Sequence, residues 1–500
     1  MGRSGSDDPF ALILAPPRDE TPEAKEARER AEAEARRVSD DIDEQLRQER
    51  IASKKMKKPV KVLLLGQSES GKSATLKNFQ LQYARHEWAE DRTAWRTVIF
   101  LNLIRNVIHV LDVLLREMSL LDGDKSFVGL EYTSDSDWEP SSHTPVYSFT
   151  DKHRLLKLRL APLRRVLTDL EKRLGPGTQE VYTTAPTAQV DKDQAREFGI
   201  ISRNGWKSAF EKLRPARKDD SAPEPILKRR EEENYQIADI LVGCKDDMKN
   251  LWDDIVVQQI LTHRKAHIED SPGFFLNDVG RIASSGYEPC DNDIIRARLR
   301  TVGVQEHKFV MEEGGLMILT TSLAKMLNHV ILGQGKEWVM YDVGGTRSSR
   351  AVWASFFDDV DTIIFLSPIS CFDEKLREDL RVNRLEDSYQ LWRSVCSSPM
   401  LAKTQIILFL NKCDLLHRKL KRGVRVSDFI PSFGDRKNDT STVMKYFQSH
   451  FKEISKLVSP EPRPFFVHFT SVIDTKATAA TLSVVEESIL RTHLRNADLL

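Results

Sequence analysis

A chain of 500 residues exceeds what one hydrophobic core ordinarily organises, so several domains are expected. Lys plus Arg and Asp plus Glu each total 75, which leaves no bulk charge to draw the whole protein to nucleic acid or acidic lipid; any charged function is local, and no nucleic-acid partner is expected. Apolar residues at 40% and charged residues at 30% exclude the disordered and fibrous classes. No uninterrupted apolar run approaches the ~18 residues of a membrane span, so the chain reads as soluble and at most anchored. Cys244, Cys290, Cys371, Cys396 and Cys413 show no CxxC spacing, which reads as a reduced chain without disulfides or a zinc site.

In chain order, Met1 to Ser6 fit the N-myristoylation pattern, with Gly2 as the acceptor. Residues 18–58 carry mixed charges with Ala27, Ala31, Ala35, Val38, Ile42 and Leu46 at helical spacing, ending in a basic cluster at Lys54–Lys58. This predicts a long charged helix, either solvated or awaiting a partner along its narrow apolar stripe. Val60–Leu65 is an apolar, β-branched run expected of a buried parallel strand, and similar strands are expected at Glu337–Asp342, Thr362–Leu366, Gln405–Leu410 and Phe465–Phe469, separated by helix-length stretches. From Trp88 to Ile295 the pattern is helical and reads as a separate domain inserted into the α/β one. Within it, 133–150 and 175–225 read as poorly ordered insertions around a Leu-rich basic helix, His153–Leu174. The basic face of that helix is either a solvated surface or one that touches lipid headgroups or a partner.

Gly66-Gln67-Ser68-Glu69-Ser70-Gly71-Lys72-Ser73 follows the first strand and matches GxxxxGK[ST]. In that context loop amides and the following helix N-terminus cradle phosphate oxygens, Lys72 neutralises them and the Ser73 hydroxyl ligates Mg²⁺. Asn411-Lys412-Cys413-Asp414 follows another strand at the edge where α/β sheets bind ligands. A carboxylate there accepts from the N1–H and N2–H₂ edge of guanine, a donor pair that adenine lacks, so Asp414 argues for GTP over ATP. Asp342-Val343-Gly344-Gly345 ends a third strand, where Asp342 can reach Mg²⁺ through water and Gly345 can offer its N–H to a γ-phosphate.

These motifs, with Asp270-Ser271 before Phe274-Phe275-Leu276-Asn277 and Tyr287-Glu288-Pro289 leading to Ile295-Arg296-Ala297-Arg298, resemble the α subunit of heterotrimeric G proteins. The resemblance implies an α/β fold: a Ras-like P-loop GTPase domain, residues 59–84 and 296–500, interrupted by an all-α domain, residues 85–295, of which 120–235 read as a largely disordered insertion; residues 1–58 would be the N-terminal helix. It also implies nucleotide contact by Gly66, Glu69, Ser70, Gly71, Lys72, Ser73, Ala74, Ile295, Arg296, Thr301, Asp342, Gly345, Asn411, Lys412 and Asp414. Asp270 and Ser271 would approach the nucleotide across the interdomain cleft, and Val472 would give its N–H to the base oxygen. Arg298 would be the built-in arginine that stabilises charge on the γ-phosphoryl group, and Thr301 would join Ser73 as the second protein ligand of Mg²⁺. Partners would be a βγ dimer, a G-protein-coupled receptor engaged by the C-terminal helix through Leu494, Leu499 and Leu500, and an unspecified effector. The location would be the cytoplasmic face of the plasma membrane, reached through the N-terminus.

Several positions depart from the family pattern. Thr346 stands where the family carries the glutamine that orients the attacking water; its hydroxyl is too short to span that distance, so slow hydrolysis is expected. Ser68 replaces a glycine, Val472 a small alanine, and Ser349 and Ala351-Val352 an acidic residue and two lysines. An alternative reading is a GTP-binding switch or scaffold with negligible hydrolysis.

Overall fold

The computed structural model describes residues 59–122, 147–175, 235–264, 266–301, 303–310 and 337–496, with scattered positions between 22 and 47. Gly2, the Lys54–Lys58 cluster, residues 123–146 and 176–234, and Leu499 and Leu500 lie outside the described residues. Residues 1–59 and 60–500 are separate compact units. In the first, positions 36–40 and 42–44 are helical and exposed, Val38 and Ile42 included.

The second unit contains a six-stranded sheet in the order β2-β3-β1-β4-β7-β8. Its strands are β1 (Val60–Leu65), β2 (Val304–Val310), β3 (Glu337–Val343), β4 (Thr362–Pro368), β7 (Gln405–Asn411) and β8 (Phe466–Phe469). All neighbours pair in parallel except β2, which runs antiparallel along β3. A small hairpin, β5 (Lys375–Leu376) with β6 (Asp379–Asn383), stands apart.

Apolar residues on both faces explain the near-continuous hydrophobic runs of the central strands. Val62 and Leu64 face α1 (Lys72–Tyr83) and α11 (Thr475–Asn496), in a core with Phe79, Trp338, Leu482, Val485 and Ile489. Leu63 and Leu65 face the opposite side, where a 3₁₀ segment (Arg347–Asp359), α8 (Arg384–Ser397) and α10 (Thr440–Val458) contribute Trp353, Trp392, Phe447 and Phe451. Strand β2 has no counterpart among the expected strands: Val-Gln-Glu-His-Lys-Phe-Val is half polar, as an edge strand tolerates.

A third core is helical. It is built around α2 (Arg85–Asp122) with α3 (Asp151–Arg159), α4 (Ala161–Leu174), a helical stretch over 235–243, α5 (Lys245–Trp252), α6 (Ile255–His263) and α7 (Asp291–Arg296). The expected single helix over 153–174 is broken in two at Leu160, with Pro162 in the first turn of α4, where a missing N–H costs nothing. Residues 151–174 are therefore no part of a disordered insertion. Leu156, Leu160, Leu163, Val166, Leu170 and Leu174 are buried in the helical core. From this segment Arg159 pairs with Asp247 at 3.2 Å and Arg164 with Asp112, while Glu171 receives Arg105 of α2 at 2.7 Å. By length and composition α2 could cross a membrane, but its most apolar stretch is 78% buried inside this core.

Candidate functional site

Helix α1 begins directly after Gly71 with no side-chain cap and no acidic residue in its first turn, so its leading N–H groups are left for an anion. Lys72, buried, folds back to donate to the carbonyls of Gly66 and Gln67, each at 2.8 Å. Burial pushes its ammonium pKa down to about 8, against the upward pull of Asp342. The Ser70 hydroxyl is buried in the same loop without a hydrogen-bond partner.

Beside this loop, three oxygens from distant parts of the chain converge. Ser73 Oγ donates to Asp342 Oδ2 at 2.6 Å, Thr301 Oγ1 donates to the same oxygen at 3.0 Å, and the two hydroxyls lie 2.9 Å apart. Asp342 Oδ1 is buried without a hydrogen-bond partner. Burial raises the Asp342 pKa, opposed by Lys72 and the two hydroxyls. Two hydroxyls and one carboxylate suit Mg²⁺, which keeps several waters and takes phosphate oxygens, better than a metal needing an all-protein cage. Among the described residues no cluster of His, Cys, Asp and Glu offers such a cage.

Gly345 lies against the phosphate loop, and its carbonyl accepts from Ser68 N–H at 3.1 Å. A Cβ at Gly345 would overlap the Gln67 and Ser68 backbone, so only glycine permits this approach. The Thr346 hydroxyl is engaged with Ser349 Oγ at 2.6 Å. Arg350 forms a bidentate pair with Asp387 on α8, at 2.9 and 2.6 Å, and Trp353 Nε1 donates to the Gly344 carbonyl at 3.2 Å.

Glu69 is the acidic centre of the loop, with Arg298 at 2.8 Å, Arg377 at 3.4 Å and Arg384 at 3.8 Å. Burial raises its pKa, but the arginines and Lys412 outweigh burial and hold the carboxyl well below the usual carboxylate range. Arg384 also donates to Glu374 at 2.6 Å and to the Ser68 carbonyl at 2.9 Å. The buried Gln67 amide donates to the Arg384 carbonyl at 2.6 Å and to Ser388 Oγ at 2.5 Å. Gln67, Arg384 and Asp387 were not legible as site residues, because their contacts join segments more than 300 positions apart or lie on a helix with no motif.

At the other end, Asn411 Nδ2 donates to the Ser70 carbonyl at 2.7 Å, which ties the Asn-Lys-Cys-Asp segment to the phosphate loop. Asn411 Oδ1 accepts from Thr470 Oγ1 at 3.2 Å and from Val472 N–H at 3.3 Å. The N–H expected to reach a base oxygen is thus turned to Asn411. Asp414 accepts from Ser471 Oγ at 2.6 Å and pairs with Arg418 at 3.4 Å.

Ile295 is packed in the helical core, and the Arg296 side chain is turned to the helical domain, donating to Asp278 at 3.0 Å and to the Phe274 carbonyl at 2.7 Å, with its guanidinium 4.8 Å from the Phe275 ring centroid. Ser271 is exposed. Asp270 pairs with Arg418 at 3.1 Å and Arg422 at 2.5 Å on α9 (Cys413–Lys421) and the residue beyond its end. Ala74 lies in the first turn of α1.

A phosphate-loop motif, a hydroxyl–carboxylate centre and an Asn-Lys-Cys-Asp segment at a strand end of one α/β sheet, with a helical domain inserted after the first helix, define a nucleotide-operated switch of the Ras-like class. The chain belongs to the G-protein alpha subunit family, whose model matches residues 36–489. It is similar to the guanine nucleotide-binding protein alpha-4 subunit of Mycosarcoma maydis, at 27% identity over 99% of this chain and 96% of that one. It is also similar to the alpha-1 subunit of the same organism, at 27% identity over 94% and 98%, and to the guanine nucleotide-binding protein subunit alpha of Candida albicans (strain WO-1), at 25% over 93% and 95%.

Proposed function

We propose that this chain is a guanine-nucleotide-binding α subunit that binds GTP and GDP, hydrolyses GTP slowly and transduces a signal from a membrane receptor. The observation that carries the reading is the convergence of Ser73, Thr301 and Asp342 beside Lys72, with Asp342 Oδ1 unpartnered. Ser73 and Thr301 would hold Mg²⁺, with Asp342 accepting from its waters; the ion supplies charge neutralisation at the β- and γ-phosphates. Lys72 and the first N–H groups of α1 bind the phosphates, Asp414 reads the guanine edge, and Arg298 stabilises charge that develops on the γ-phosphoryl group. An arginine in that role is worth about 10³–10⁵ in rate.

The engagement of Thr346 with Ser349 supports slow turnover and favours, as the second reading, a switch with negligible hydrolysis. Partnership with βγ and an effector would fall to the 347–359 segment, and receptor contact to α11. A single acyl chain on Gly2 gives only marginal membrane binding, so residence at the cytoplasmic face would need the basic cluster or a lipidated partner as well. Binding of a fluorescent GTP analogue with Mg²⁺, followed by phosphate release, tests the reading. Binding with slow release supports it, binding without release leaves the non-hydrolysing switch, and no binding leaves a scaffold.

A further inference from the structure

Both peptide groups of Arg298 are held by one side chain. Asn102, on α2 and 5% exposed, accepts from Arg298 N–H at 2.7 Å and donates Nδ2 to the Arg298 carbonyl at 2.9 Å. The segment leading into it is held from the other side: Lys77, buried on α1, donates to the carbonyls of Ala297 at 2.7 Å and Ile294 at 2.9 Å. The Lys77 ammonium also sits 3.7 Å from the Trp95 ring centroid. Gly273, at φ +79°, completes the cage, since a Cβ there would stand 2.9 Å from Asn102 Oδ1 and 3.1 Å from Arg298 Cβ. At its far end the guanidinium rests on Glu69.

Arginine is long and rotamer-rich, so fixing its backbone removes the largest source of misdirection before the side chain is considered. A buried amide whose donor and acceptor are both used on one residue's main chain has little freedom left for any other task. The arginine is thereby rooted in the helical domain through Asn102 and in the phosphate-loop helix through Lys77.

We propose that Asn102 is a positioning residue for Arg298, with Lys77 bracing the residue before it, so that Asn102 governs the rate of GTP hydrolysis and not the affinity for GTP. This rests on the reading of Arg298 as catalytic. The test is a double-mutant cycle on the full chain with Asn102→Ala, Arg298→Ala and the pair, read by single-turnover hydrolysis and by equilibrium binding of a fluorescent GTP analogue. Asn102→Ala is expected to slow hydrolysis by about tenfold or more, with binding within about twofold, and to cost nothing further once Arg298 is already alanine. Asn102→Asp keeps the acceptor for Arg298 N–H but turns a carboxylate on its carbonyl. It should show the same non-additivity, and it serves if the alanine variant does not fold. A loss of equal size with and without Arg298, or a wild-type rate in both Asn102 variants, overturns the proposal and leaves the catalytic reading standing. Unchanged hydrolysis in Arg298→Ala itself overturns both.

Discussion

The Arg298 guanidinium stands 2.8 Å from the Glu69 carboxylate, so the arginine that follows α7 is tied to the phosphate loop. Glu69 is a buried anion shared among Arg298, Arg377 and Arg384, and its folded pKa lies below the ordinary 4.5. A depressed folded pKa means that the ionised cluster contributes stability above about pH 4.5, and that this contribution drains away as pH falls through the folded value. Glu69→Gln should lower stability at pH 7 by about 2 kcal/mol, since it removes the carboxylate shared by the three arginines while Arg384 keeps Glu374, and should flatten the acid limb. Thermal melting of both proteins from pH 7 downward checks this; parallel curves would contradict it.

Thr346 is the residue at which turnover should be most responsive. Its hydroxyl is held by Ser349, whereas a glutamine amide would reach past that contact. Thr346→Gln should raise single-turnover hydrolysis by about tenfold or more, provided Arg298 is intact. An unchanged rate would show that the short side chain is not what limits the reaction.

The Ser73 hydroxyl is shared between Thr301 and Asp342. Ser73→Ala should therefore abolish the Mg²⁺ dependence of nucleotide retention, accelerating GDP release in Mg²⁺ by about tenfold, and chelation should do the same to the unmodified protein. Release rates that still fall on adding Mg²⁺ to Ser73→Ala would place the ion elsewhere.

Much of this site could be read from the sequence because its chemistry is local. A phosphate loop needs its glycines, lysine and serine within eight consecutive positions, and Asp414, the carboxylate proposed to read the base, sits three residues past a strand end. The central strands were equally visible, since burial on both faces makes them apolar throughout. Strand β2 was not, because an edge strand with Gln305, Glu306, His307 and Lys308 looks like a linker until β3 supplies its partner. Arg296 and Arg298 look alike in sequence yet point to different domains, because α7 ends between them. The Gln67–Arg384 and Asn102–Arg298 contacts span long separations, and no periodicity encodes them.

Asp270 links the helical domain to α9 of the sheet domain, and its partners were not foreseen. It receives Arg418 at 3.1 Å and Arg422 at 2.5 Å, while its own side chain is only 11% exposed. Both arginines are more than 30% exposed, so each pair is screened by water and salt and is worth about 1 kcal/mol at most. A latch of that strength gates opening without preventing it. Arg418→Gln with Arg422→Gln should speed GDP dissociation by about five- to thirtyfold at low ionic strength, and the advantage should shrink as salt rises, because the unmodified latch is then already weakened. The fluorescence decay of a labelled GDP chased with unlabelled nucleotide, at two salt concentrations, reads this out. A dissociation rate indifferent to both the substitutions and salt would show that the cleft opens without breaking these pairs.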